Sequence, residues 1–203
     1  MFFENMSIFS KYSGPIIIFL SLSILEVVQS ETIARMIKTK GEVMIKRLGS
    51  SGYDKVAKPG AEINNGDACE VGSQEFAAVV YLDDLSIVKI KENTRFQFIE
   101  TPNTRTVNIE LGTLLNDIKT QKISKAFRIE TPVSVASVKG TKFAVVVNPS
   151  GVDQFYGMEG IVEVMNLVTG KTVSLTPGTK VISDIAGNII QAPATPNEYP
   201  EDP

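Results

Sequence analysis

The chain has 203 residues, 20 of them basic and 23 acidic, for a net charge of −3; it has no histidine, no tryptophan and one cysteine. No basic field is available to neutralise a phosphate backbone, so nucleic acid is not an expected partner. Without histidine the usual proton shuttle, the Ser-His-Asp and Cys-His arrangements and the common zinc sites are all missing. A hydrophobic share of 43% and a charged share of 21% suit one folded domain rather than a disordered or many-spanning chain.

The first pattern is PIIIFLSLSIL at 15–25, an uncharged run between Lys11 and Glu26. It is shorter than the roughly 20 apolar residues that cross a bilayer. It fits the apolar region of a secretory signal, with Val28 and Ser30 as the small residues before a cut ahead of Glu31. Residues 1–30 are therefore expected to be a signal peptide. The alternative is an uncleaved signal anchor over 15–28, favoured by an amino-terminal region holding only Lys11 and Glu4. Contact with a membrane is expected only through 15–28, and only if that segment is retained.

From residue 39 to about 190, β-branched and aromatic runs are bounded by Gly, Pro, Asn and Asp, the pattern of successive strands. Strands are expected at 41–47, 75–82, 86–91, 95–100, 106–111, 113–119, 127–130, 133–138, 141–147, 153–158, 160–166, 172–175, 180–185 and 189–192. Several alternate at period two, so one face of each sheet is buried. Cys69 stands between Asp67 and Glu70, which raise a thiol pKa, so it reads as an inert packed side chain.

Glycine-led strands recur: GEVMIKR from Gly41, GTLLNDI from Gly112, GTKFAVV from Gly140, GIVEVMN from Gly160 and GTKVISD from Gly178. Thr-Pro pairs at 101–102, 131–132 and 176–177 place a fixed φ and a missing donor at strand edges. Together these predict an all-β fold, a two-sheet β-roll or short β-solenoid in which each unit buries its face on its neighbours. The alternative is a β-sandwich whose strands happen to start with glycine. One domain is expected over 31–191. The Pro-rich acidic stretch APATPNEYPEDP at 192–203 has almost nothing to bury and is expected to be a disordered tail.

No residue qualifies as catalytic, and no cofactor or metal is expected. Asp83 and Asp84, with Asp67, are the one dense carboxylate group near the strands, but the Asp-x-Asp-x-Asp-Gly spacing of a calcium loop is missing. Glu100, Glu110 and Glu130 sit at strand ends, where a charge solvates an edge, in place of a glycosidase pair. Lys119, Lys122, Lys125 and Arg128 form a mild basic cluster that reads as a solvated loop.

Several motifs occur in a fixed order. Asn65-Gly66-Asp67 precedes Val71-Gly72-Ser73; the strand 77–82 is followed by Asp84 and Ser86; Leu111-Gly112-Thr113-Leu114 comes next. Thr131-Pro132 then leads to Gly140-Thr141-Lys142-Phe143, and Gly160-Ile161-Val162-Glu163-Val164 leads to Leu175-Thr176-Pro177-Gly178. This series resembles the FecR domain, an all-β module of the bacterial cell envelope, from about 41 to 185. The resemblance marks Gly66, Asp67, Asp84, Gly112, Thr131, Pro132, Gly140, Thr141, Phe143, Gly160 and Gly178 as framework positions. Read from the residues alone, Gly140 serves a positive φ or a close backbone approach, and Asp67 is a turn residue accepting backbone N–H groups. One departure is Asp84-Leu85-Ser86 where the family has Asp-Gly-Ser, which predicts a wider turn or one with Asp83-Asp84 at its tip.

The resemblance implies an exported, non-enzymatic envelope module that binds an envelope protein or a surface polymer in a sensing or scaffolding role, in the periplasm or cell envelope. The alternative is a signal-anchored regulator that works through a separate partner in transmembrane signalling. Many family members join such a domain to a cytoplasmic segment controlling a sigma factor. Only fourteen residues precede the apolar run here, too few to fold alone, so anti-sigma activity is not expected.

Overall fold

The computed structural model describes residues 30–120 and 125–203; the signal-or-anchor segment at 1–29 and Lys122 lie outside the described residues. The first half of the chain forms β1 (Thr32–Lys40), β2 (Val43–Lys46), β3 (Lys55–Ala57), β4 (Glu62–Asn64), β5 (Ala68–Val71), β6 (Phe76–Tyr81), β7 (Ile87–Ile90) and β8 (Thr94–Glu100). A long strand, β9 (Thr104–Ile118), leads into the second half. That half holds β10 (Ala126–Glu130), β11 (Ser134–Val138), β12 (Thr141–Asn148), β13 (Val152–Glu159), β14 (Val162–Asn166), β15 (Thr172–Leu175), β16 (Thr179–Asp184) and β17 (Ile189–Pro193).

The strands make two sheets that share β9. The front sheet runs β4-β1-β6-β7-β9-β12-β13-β16-β17, and the back sheet β3-β2-β5-β8-β9-β10-β11-β14-β15. Every ladder among the described residues is antiparallel except β9 with β10. The chain thus rolls inward to β9, alternating between sheets, and outward again. The expected all-β, two-sheet roll is what forms, its sheets facing each other as in a sandwich.

The glycine repeat marks the corners of this roll. Gly41, Gly112, Gly140, Gly160 and Gly178, joined by Gln74 and Asn93, sit where the chain passes from one sheet to the other, all at positive φ. Gly112 matters most, because β9 does not stop there. Residues up to Leu111 pair with β8, and from Gly112 onward the strand pairs with β12, and from Leu114 with β7. The two strands expected at 106–111 and 113–119 are one strand bent through a corner.

A single core fills the space between the sheets. Inward positions alternate along β2, β8, β11 and β14, as one solvated face requires. Tyr81 meets Phe98 and Phe127 edge-on, each at 6.0 Å between centroids, and Phe96 meets Phe98 at 5.0 Å, geometry that aromatic quadrupoles favour. Cys69 is fully buried within this core, and burial pushes its thiol pKa up, with Asp67 adding to the rise.

Residues 192–203, expected as a tail, lie against the domain. After β17 the chain makes a 3-10 turn at Pro196–Glu198 and crosses the outer face of the front sheet as a strap. Tyr199 packs on Tyr156 with centroids 5.6 Å apart and donates its hydroxyl hydrogen to Gly157 O at 3.1 Å. Lys180 pairs with Glu198, Lys89 Nζ lies 2.5 Å from Asp202, and Lys91 donates to Glu201 O at 3.0 Å. The strap's composition gives no hint of this, because what it buries belongs to the sheet: Leu115, Ala144 and Tyr156.

Candidate functional site

The framework residues build three buried polar clusters, and the largest centres on Arg105. In the run TRTVNIEL, Arg105 is in phase with Val107 and Ile109 and points inward, 1% exposed. Its Nε lies 3.0 Å from Glu100, directly opposite on β8, while Nη1 and Nη2 reach Asp84 at 3.1 Å and Asp83 at 2.6 Å. The guanidinium also sits 3.9 Å from the centroid of the Tyr81 ring, and Lys125 pairs with Glu100. Burial works against the charge on Asp83, but its hydrogen bond to Arg105 and that cation's field outweigh burial and hold its pKa below the ordinary carboxylate value. These carboxylates neutralise a buried cation, which explains their density without a metal.

Asp83 and Asp84 come from the loop 82–85, closed by Tyr81 N–H donating to Ser86 O at 2.9 Å and by Ser86 N–H donating to Asp84 Oδ1 at 2.8 Å. The turn is wider than two residues. Leu85 nevertheless takes φ +60° while 63% exposed. A left-handed L-residue costs about 1–2 kcal/mol, partly offset by the chain entropy glycine would add. Leu85→Gly is therefore expected to raise stability by about 0.5–1 kcal/mol, read as a higher urea midpoint with an unchanged slope.

The second cluster holds Asp67, 1% exposed. It pairs with Arg47 and accepts the Asn64 N–H at 2.7 Å. Beside it, Gly66 takes φ +89°, and the Asn65 amide clamps the Glu100 backbone through bonds of 2.7 and 2.8 Å.

The third cluster lies at the Thr-Pro turn between β10 and β11. Thr131 Oγ1 accepts the Ser134 N–H at 2.8 Å and donates to the buried Asp153 carboxylate; Pro132 follows at the exposed tip. Burial raises the Asp153 pKa, with the Thr131 hydrogen bond opposing. The native state then holds a proton that the unfolded chain has lost, so this group's contribution falls as pH rises from the ordinary carboxylate pKa through the raised one. Asp153→Asn is expected to flatten that slope and to raise the urea midpoint at pH 7; an unchanged pH profile would contradict this. Nearby, buried Asn166 donates to Ser183 Oγ and Asp184 O, both at 2.9 Å. Neither Arg105 nor Asn166 stands out as a motif; the inward phase of Arg105 is the signal that finds it.

The remaining marked positions are structural contacts. Thr141 and Phe143 face the interior, 2% and 0% exposed. Gly140 and Gly160 pack corner against corner, since a Cβ on Gly160 would lie 2.8 Å from Gly140 O. Gly178 sits at an open corner with nothing within 4 Å of an added Cβ. The basic cluster at the β9–β10 connection is not a free field: Lys119 pairs with Asp117 at 2.9 Å and Lys125 with Glu100. Glu110 lies 3.7 Å from Arg95. Among the described residues, no group of three His, Cys, Asp or Glu side chains could hold a metal ion, and no helix is long and apolar enough to cross a membrane.

The surface then divides clearly. Edge strands β3 and β4 have three residues each, β15 has four, and β17 has five and ends in proline. The outer back sheet is laced with polar pairs, including Arg95 with Glu70 at 2.7 Å and Ser174 donating to Glu163 at 2.8 Å. The outer front sheet carries the apolar patch beneath the strap.

The family model for FecR protein matches residues 67–163. Two crystal structures of a "putative anti-sigma factor" from Parabacteroides distasonis ATCC 8503, at 2.50 and 1.65 Å resolution, share the fold. Each has a TM-score of 0.55 and 22% identity, and the match covers 62% of this chain and 59% of that one. No curated protein matches the sequence significantly. The matched segment runs from the Asp67 turn through the Arg105 cluster and the Gly112 and Gly140 corners to β14, and over that segment the chain is similar to the FecR family.

Proposed function

We propose that this chain is an exported, non-enzymatic module of the cell envelope that binds another envelope protein in a sensing or scaffolding role. The observation that carries the reading is the use to which the family's motifs are put. Gly112, Gly140 and Gly160 turn the chain between sheets, and Asp67, Asp84 and Thr131 satisfy buried partners. The motifs thus maintain a framework, and function falls to the surface it presents. The likeness to a protein named as an anti-sigma factor supports a signalling context. Strand edges of three to five residues offer little for β-strand addition, which favours a sheet face.

A second reading, the signal-anchored regulator acting through a separate partner, is favoured by the weak charge ahead of the apolar run, Glu4 with Lys11. Fractionation separates the two: an anchored form needs detergent and keeps Met1, whereas the exported form is soluble and begins near Glu31. For the binding function, affinity capture of the tagged full chain from cell envelopes is expected to recover one stoichiometric envelope protein. Recovery of glycan alone, or of nothing, would overturn the protein-binding reading.

A further inference from the structure

Across the front sheet, one row of outward residues runs perpendicular to the strands. Cross-strand register aligns Lys38, Ala78, Lys89, Leu115, Ala144, Tyr156 and Lys180 on successive strands from β1 to β16. The middle is apolar and buried, Leu115 at 8%, Ala144 at 0% and Tyr156 at 5%, and lysines close both ends. The strap lies along this row. Glu198 meets Lys180, Tyr199 covers Tyr156, and Asp202 meets Lys89.

We propose that this row is a binding site for an extended acidic segment of a partner protein, one with an aromatic residue about three positions before a carboxylate, and that residues 194–203 occupy it in the free chain. The inference rests on the protein-binding reading above and names its site and ligand chemistry. Three observations carry it. First, among the described residues the polar partners of the Lys89, Lys91 and Lys180 ammonium groups all lie in the strap, so displacing the strap strips all three at once. The other carboxylates on this face are already engaged: Asp117 by Lys119, Glu159 by Lys142, Glu75 by the Glu42 and Gly72 N–H groups, and Glu92 by the Gln74 N–H. Second, the geometry suits a chain crossing strands. Lys180 and Lys89 are four strands apart, about 19 Å, and Glu198 to Asp202 covers about 13 Å extended, with side chains completing the span. Third, the strap does not fill the site. Beside Asp202 an open groove of about 380 Å³ is lined by Ile87, Lys89, Leu115, Lys142 and Met158, room for a ligand side chain larger than aspartate.

The strap is held by one ring contact, the Tyr199 hydroxyl bond, single hydrogen bonds at Ala194 and Glu201, and ion pairs, of which Lys89–Asp202 is 35% and 62% exposed. Such pairs are weak and salt-screened. The Lys180 hydrogen bond holds the Glu198 pKa down to about 2, so that pair is expected to outlast mild acid. A depressed carboxylate keeps its partner above its ordinary pKa and loses it only as pH falls through the lowered one. Exchange therefore falls to a competing ligand that adds contacts in the groove, against a tethered competitor at high effective concentration.

The test uses a fluorescent peptide of residues 195–203, TPNEYPEDP, and full-length protein. Tyr199→Ala, which frees the strap, is expected to bind the peptide at least tenfold more tightly than wild type, as is the independent variant Glu198→Lys/Asp202→Lys. Adding Lys89→Glu/Lys180→Glu to Tyr199→Ala is expected to lose at least tenfold again. Equal binding by wild type and both freed variants, or binding indifferent to the lysine reversals, overturns the site. A wild-type dimer that dissolves in Tyr199→Ala overturns the partner in favour of a second copy. Envelope capture in parallel separates the two claims. One envelope protein taken equally by wild type and the lysine variant leaves the binding reading standing and removes this site. Peptide binding with no envelope protein captured keeps the site and removes that reading.

Discussion

Replacing Arg105 with methionine is expected to lower stability by about 3–5 kcal/mol, the cost of leaving a buried ionic cluster without one partner. The guanidinium is 1% exposed and faces Glu100, Asp84 and Asp83 at 3.0, 3.1 and 2.6 Å. Without it, Glu100 keeps Lys125, while Asp83 and Asp84 lose the guanidinium. For a domain of this size the loss amounts to roughly 10 °C in Tm. Two controls make the assignment specific. The variant Arg105→Met with Asp83→Asn, Asp84→Asn and Glu100→Gln should recover most of the loss, because a matched neutral cluster carries no uncompensated charge. The deficit of the single variant should also shrink as pH falls. Asp83, held below its ordinary pKa by Arg105, contributes stability above the unfolded carboxylate pKa and loses it on acidification. A deficit under 1 kcal/mol in urea unfolding at pH 7 would show that the cluster is not needed.

Gly112→Ala is expected to be comparably damaging, by about 3 kcal/mol or more, for steric reasons. Gly112 holds φ +106°, and an added Cβ would lie 2.5 Å from Thr94 Cα and 2.6 Å from Thr94 Cβ. The obstacle is partly backbone, so trimming Thr94 to serine should not rescue it. Gly178 is the internal comparison: φ +78°, with nothing within 4 Å of an added Cβ. Gly178→Ala should cost only the left-handed penalty, about 1–2 kcal/mol. Equal costs at the two positions, measured by chemical denaturation, would refute a corner at Gly112 that depends on close approach.

This contrast also shows what the sequence can reveal. The glycine repeat was legible because a chain passing between sheets needs positive φ, which few other residues accept, and it recurs at each passage. Its meaning was less legible. A glycine ending one strand and starting another looks the same as Gly112, where β9 runs through the bend and changes partners. The short strands β3 and β4 escaped because three residues carry too little periodicity. β1 was hidden by its composition, TIARMIKTK, in which three lysines and arginines interrupt the apolar pattern. Among the polar clusters, the Asp83-Asp84 turn was visible as a carboxylate pair, but its partner was not, because Arg105 lies in an ordinary strand and only its phase with Val107 and Ile109 reveals it. The strap was illegible for a different reason. Pro-rich acidic sequence supplies little to bury, and the surface that orders it comes from four strands distant in the chain.

Which face of the molecule meets its partner is read directly by site-specific photo-cross-linking in cells. A benzophenone side chain at Lys91, on the outer front sheet, is predicted to give one adduct with a single envelope protein, whereas the same group at Arg95, on the outer back sheet, gives none. Adducts from Arg95 alone, or no envelope protein from either position, would contradict the account.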